Sequence, residues 1–181
     1  MTLVQAALDE LTRVFFGAFA NKHGAPNVDG LRRLFLPQAV ITKRSGSTCE
    51  VMTVSQFIEP RQWLLTGGTL VDFEEWETSA RTEIFGGIAQ RFSTYEKAGM
   101  MAGQPFTGRG VKTIQFVLLD GEWRISALAW EDEPECAKGG ARFQTSGLRS
   151  PAPPSPADSG ACIRTQLNFG CIPFSTKPSE R

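Results

Sequence analysis

The chain has 181 residues, with 19 basic and 19 acidic side chains, one histidine and 41 % hydrophobic residues. That length fits one domain with an appendage, and the zero formal charge gives no electrostatic reason to expect nucleic acid or an anionic membrane as partner. No apolar run approaches the roughly 20 residues that cross a bilayer, and the amphipathic start carries Asp9 and Glu10 without a signal peptide's basic opening, so a soluble cytoplasmic protein is expected.

Leu8, Leu11, Phe15 and Phe19 recur at spacings of three and four, with Val4 extending the stripe and Asp9, Glu10 and Arg13 on the other side. This predicts an amphipathic helix over 2–21, capped by Thr2 and ended by Gly24 and Pro26. A short helix follows, with Asn27 as cap, Leu31, Leu34 and Phe35 as apolar face and Pro37 as stop. Residues 39–43 and 48–53 read as strands around Ser45-Gly46. A third helix is expected over 54–65, with Ser55 as cap and Gly67-Gly68 as terminator; Pro60 requires it to kink or to begin late.

Beyond Thr69 the period changes to that of strands. Residues 69–85 and 88–98 flank Gly86-Gly87, and 106–119 and 122–131 flank Asp120-Gly121, two strong hairpin signals. Helices first and antiparallel strands afterwards indicate an α+β layer fold, the long sheet rolled around the first helix.

Composition shifts near Pro134. Residues 1–134 hold 13 basic and 16 acidic side chains, whereas 135–181 hold 6 and 3, with six of the eleven prolines and no sustained period. A Pro/Ser/Gly-rich segment of that kind buries too little apolar surface to offset its chain entropy, so it is read as a disordered tail to a 1–134 domain. Cys136, Cys162 and Cys171 lie in it and Cys49 in the body; none has metal-site spacing, and unpaired thiols are expected.

The order of elements, together with Arg91-Phe92-Ser93-Thr94-Tyr95-Glu96, the stretch from Arg109 to Phe116 and the run Gly121-Glu122-Trp123-Arg124-Ile125 continuing to Trp130-Glu131-Asp132-Glu133, resembles the nuclear transport factor 2-like superfamily. This is the cone-shaped fold of SnoaL-like polyketide cyclases, ketosteroid isomerase and scytalone dehydratase, and the stretches look like its small uncharacterised bacterial members. The resemblance covers roughly residues 3–133. It implies a curved antiparallel sheet wrapped around N-terminal helices, a pocket between them, and often a homodimer through the outer face of the sheet. It implies no particular reaction, because the fold hosts many functions.

Strand alternation across Gly86-Gly87 puts Trp76, Thr78, Ala80, Thr82, Ile84, Ala89, Arg91, Ser93 and Tyr95 on one face, small and partly polar as a cavity wall requires. Trp76, Thr78, Arg91, Ser93 and Tyr95 are the expected ligand-binding residues. Arg91 must meet a carboxylate, with Glu74 the nearest in phase, or an anionic ligand. The candidate catalytic groups are Glu74 and Asp72 as carboxylates, Tyr95 as a hydrogen-bond donor and the lone His23 just past the first helix.

Alternation across Asp120-Gly121 puts Gln115, Leu128 and Trp130 on a mixed outer face, expected at a homodimer interface. No phosphate loop, nucleophile elbow or metal triad is present, so neither cofactor nor metal is expected. The functional expectation is a SnoaL-like domain binding a small apolar or carboxylate-bearing molecule. The alternatives are an isomerase, cyclase or dehydratase acting on a small apolar carbonyl compound, and a structural dimeric interaction subunit.

Overall fold

The computed structural model describes residues 2–134. The expected disorder of 135–181 and the state of its three cysteines lie outside the described residues. Helix α1 spans Leu3–Gly17, and the Thr2 hydroxyl accepts from the Gln5 amide as its cap. Its stripe buries Leu8, Thr12, Phe15 and Phe16. The helix stops short of Asn21, because that residue is claimed by β3. Its amide donates to the Phe73 carbonyl and its Oδ1 accepts from the Phe73 amide, while its Nδ2 donates to the carbonyls of Leu65 and Leu70.

A short 3₁₀ turn, Asp29–Arg33, leads into strand β1, Phe35–Ser45. Pro37 therefore lies inside a strand and not at a helix end. The pairing of β1 loses register between Phe35 and Val40, where proline has no N–H to offer a ladder. Strand β2, Thr48–Met52, completes a hairpin at Gly46. Helix α2, Val54–Thr66, is capped by Thr53, not Ser55: Thr53 and Gln56 form a reciprocal capping box. Pro60 sits within α2.

The rest is one meander: β3 Leu70–Phe85, β4 Ile88–Met101, β5 Gln104–Leu119 and β6 Glu122–Asp132. The six strands form a single open sheet in the order β2-β1-β6-β5-β4-β3. It is mixed, because β6, the last strand of the meander, joins β1 in parallel while every other pair is antiparallel. The sheet is antiparallel as expected except at that one seam. Beneath the sheet Phe15 stacks on Phe57 and meets Phe16, Phe19 and Phe35 edge-on, an aromatic core between the helices and β1.

Three irregularities decide which side chains face this core. In β3 the register slips at Asp72 and again at Thr78, and in β6 it slips at Ser126. Each inserts one residue and moves the following side chains to the other face. Glu75 and Glu77 thus turn inward where Glu74 and Trp76 were expected, and Leu128, Trp130 and Asp132 turn inward from the supposed outer face.

Candidate functional site

The register lays out the inner wall row by row. One row runs Ile41, Leu128, Ile114, Arg91, Thr82. The next runs Lys43, Trp130, Lys112, Ser93, Ala80, and a third runs Asp132, Gly110, Tyr95, Glu77. The wall grades from aliphatic to charged along the strands, and α2 supplies Phe57 and Arg61 against it.

Two polar clusters result. In the first, Arg91 donates to both oxygens of Glu77 at 2.8 and 2.6 Å, to Asp9 of α1 at 2.6 Å and to Thr82 at 2.8 Å. Ser93 donates to Glu77 at 2.5 Å. The hydrogen bonds that Arg91 donates to Glu77 and Asp9 outweigh burial and hold its guanidinium above its ordinary pKa. Arg91 is thus internally paired, but with Glu77 and Asp9 and not with the expected Glu74.

The second cluster lies under α2. The Tyr95 hydroxyl donates to Asp132 Oδ1 at 2.5 Å, and Lys97 donates to the same oxygen at 2.5 Å. Gly110 makes this possible: a Cβ there would lie 2.7 Å from the Tyr95 hydroxyl and 2.3 Å from the Glu131 carbonyl oxygen. Gly108 likewise leaves room for the Lys97 stem. Lys112 pairs with Glu75 at 2.8 Å and lies 3.7 Å from the centre of the Tyr95 ring. Arg61 lies 4.0 Å over the Phe57 ring and 5.3 Å from that of Trp130, and donates to the Phe57 carbonyl. Lys43 is only 5 % exposed, and among the described residues no hydrogen bond or ion pair engages its ammonium.

Burial pushes the Tyr95 phenol far above its ordinary pKa, and the Asp132 charge pushes it further. Burial alone would raise the Asp132 carboxyl; the charge and hydrogen bond of Lys97 bring it below the usual value. Burial lowers Lys112 against the pull of Glu75. It also lowers Lys43, where Asp132 opposes the shift and Arg61 and Lys97 add to it. Arg61 is lowered by burial to about 10, with Glu75 the chief opposing charge, and stays cationic at neutral pH.

Of the residues expected to line the site, Arg91, Ser93 and Tyr95 are buried on the inner face. Trp76 and Thr78 are not: the slip at Thr78 puts both outside, where Thr78 meets Thr94. Asp72 is the positive-φ residue of the other β3 irregularity and is exposed. Glu74 faces out, 3.1 Å from Lys22 and 4.0 Å from a largely exposed His23. Gln115 stays exposed on the outer face, whereas Leu128 and Trp130 are buried, Trp130 edge-on to Phe57. Lys43, Arg61, Glu75, Glu77, Lys97, Lys112 and Asp132 escaped the sequence reading. One local signal pointed to part of the set: glycines alternate at 108 and 110 in a strand of otherwise larger residues.

No protein-family model matches the chain, and no curated protein matches it. Solved structures do. A nuclear transport factor 2-like superfamily protein from Salmonella enterica superposes with a TM-score of 0.61 at 14 % identity, over 77 % of this chain and 97 % of that one. A cystatin-like protein from Caulobacter vibrioides gives 0.58 at 15 %, over 74 % and 92 %. A cystatin-like protein of unknown function from Nostoc punctiforme gives 0.57 at 12 %, over 75 % and 96 %. The chain has the nuclear transport factor 2-like fold, an α+β curved sheet packed on helices, as its sequence resemblance implied. Among the described residues no helix is long and apolar enough to cross a membrane.

Proposed function

We propose that this chain is a SnoaL-like small-molecule-binding domain whose ligand sits between the inner wall of the sheet and α2. One observation carries the reading: Lys43, Lys112 and Tyr95 are nearly fully buried in the wall, where a fold needing only a core would place aliphatic side chains. Polar groups set among aromatic rings are the usual lining of a ligand site. Asp72 and Glu74, the base candidates for an isomerase-like reaction, face the other way, so binding accounts for the wall without a reaction. The test is a thermal-shift screen with aromatic acids, their amides, and neutral steroid-like ketones. At least one class is expected to raise the melting temperature by several degrees; no shift from any class would contradict the reading.

A second reading concerns assembly and is favoured by a separate observation. The middle of the outer face carries Val40, Ala127, Gln115 and Gln90 in one row and Thr42, Ala129, Thr113 and Phe92 in the next, with no charge among them. An uncharged stretch of sheet face suits an isologous homodimer centred on Gln115. Light scattering giving twice the chain mass supports it, and a monomer opposes it.

A further inference from the structure

Four cations belong to the second cluster, and they are not equivalent. Lys97 is engaged by Asp132 and Lys112 by Glu75. Lys43 has no hydrogen-bond or ion-pair partner, and Arg61 has a single carbonyl acceptor, Phe57, and no carboxylate in ion-pair reach among the described residues. The two feel one another's charge. The carboxylates whose charge reaches them are engaged elsewhere or exposed: Glu75, the chief opposing charge at Arg61, pairs with Lys112, Asp132 is shared by Lys97 and Tyr95, and Glu50 stands exposed on β2.

Two neighbouring, largely buried cations with no carboxylate paired to either among the described residues destabilise an empty protein. They are expected where an anion completes the site. We propose that Lys43 and Arg61 form an anion subsite, and that the ligand of this domain is a small carboxylate on a planar apolar body. This rests on the binding reading above and names the ligand class. The carboxylate answers the planar fork of Arg61, which accepts such a group through paired hydrogen bonds, and the point charge of Lys43. The planar body answers the rings around the cations, Phe57 and Trp130 beside Arg61, and Tyr95 and Phe16 beside Lys112. Lys97 and Lys112, already neutralised, position Asp132 and Glu75 and do not hold the ligand.

Lys43→Met removes an uncompensated buried charge, so the ligand-free variant melts at or above the wild type, while its affinity for the acid falls. A lysine serving only the fold gives the reverse, a lower melting temperature. The probes are naphthoate and naphthamide, equal in shape and different in charge. Melting curves and calorimetric titration are run on wild type, Lys43→Met, Lys43→Gln and Arg61→Gln.

The expected result is naphthoate binding to wild type, naphthamide binding at least about tenfold more weakly, and each variant losing about tenfold or more for the acid alone. Equal binding of acid and amide, or undiminished affinity in Lys43→Met and Arg61→Gln, overturns the subsite and leaves the binding domain standing. No binding of either probe to wild type overturns the subsite; if the neutral ketones also fail, the binding reading falls with it.

Discussion

Tyr95 is the chain's only tyrosine, so its ionisation is visible without interference. The unfolded chain releases the phenol proton near the ordinary value of 10.0, whereas the folded chain retains it far beyond. Between those limits the native state holds the extra proton. The stabilisation is therefore full below pH 10 and is lost as pH rises above it. Spectrophotometric titration should show no phenolate absorbance at pH 10 in the folded protein, and should show it appear together with unfolding at higher pH. Phenolate forming near pH 10 in a still-folded chain would mean that Tyr95 does not lie buried against Asp132. The same contact predicts that Gly110→Ala destabilises by about 1–3 kcal/mol in urea unfolding, since the new methyl meets the Tyr95 ring and a backbone carbonyl. Gly24→Ala, where a Cβ meets nothing within 4 Å, is the neutral control. Three inward residues, Arg91, Ser93 and Tyr95, were legible from strand alternation because they lie in β4, whose pairing with β5 runs without a slip. Glu77, Lys112 and Asp132 were not, because their roles depend on partners brought from other strands.

At the scale of elements, turns were readable and bulges were not. Gly86-Gly87 and Asp120-Gly121 carry their geometry in their own residues; Asp120 and Gly121 both take positive φ, as a tight hairpin demands. A bulge is a mismatch in count between two strands, and no residue type at Thr78 or Ser126 announces it. The third hairpin, at Ala102-Gly103, was missed because Ala102 adopts φ of 48°, a conformation that alanine disfavours. Replacing it relieves that strain: Ala102→Asn is expected to raise stability by about 1 kcal/mol in chemical denaturation. A loss of stability would show the turn to be of another type. Arg91 joins elements: it ties Asp9 of α1 to Glu77 of β3. Arg91→Met leaves both carboxylates without their cation and should lower stability by about 3 kcal/mol. A double-mutant cycle with Glu77→Gln should show strong coupling; additivity would mean that the bridge contributes little.

For the molecule as a whole, the two faces of one sheet differ in composition, charged and aromatic groups on the inner and an uncharged stretch on the outer. The fold was legible from element order, whereas the outer face was misassigned in part, because the slip in β6 carries Leu128 and Trp130 to the core and leaves Gln115 outside. If the outer face joins two copies, Gln115→Glu at its centre should halve the solution mass while leaving ligand stabilisation in place. Phe85→Glu at the exposed hairpin end should leave the mass unchanged. The anion subsite proposed on the inner face is visible in a crystal of the full chain soaked with naphthoate. The expected density is a carboxylate within hydrogen-bond reach of both Lys43 Nζ and the Arg61 guanidinium, with the ring system against Phe57 and Trp130. Naphthoate bound only to exposed lysines, with Lys43 and Arg61 unchanged, would contradict it.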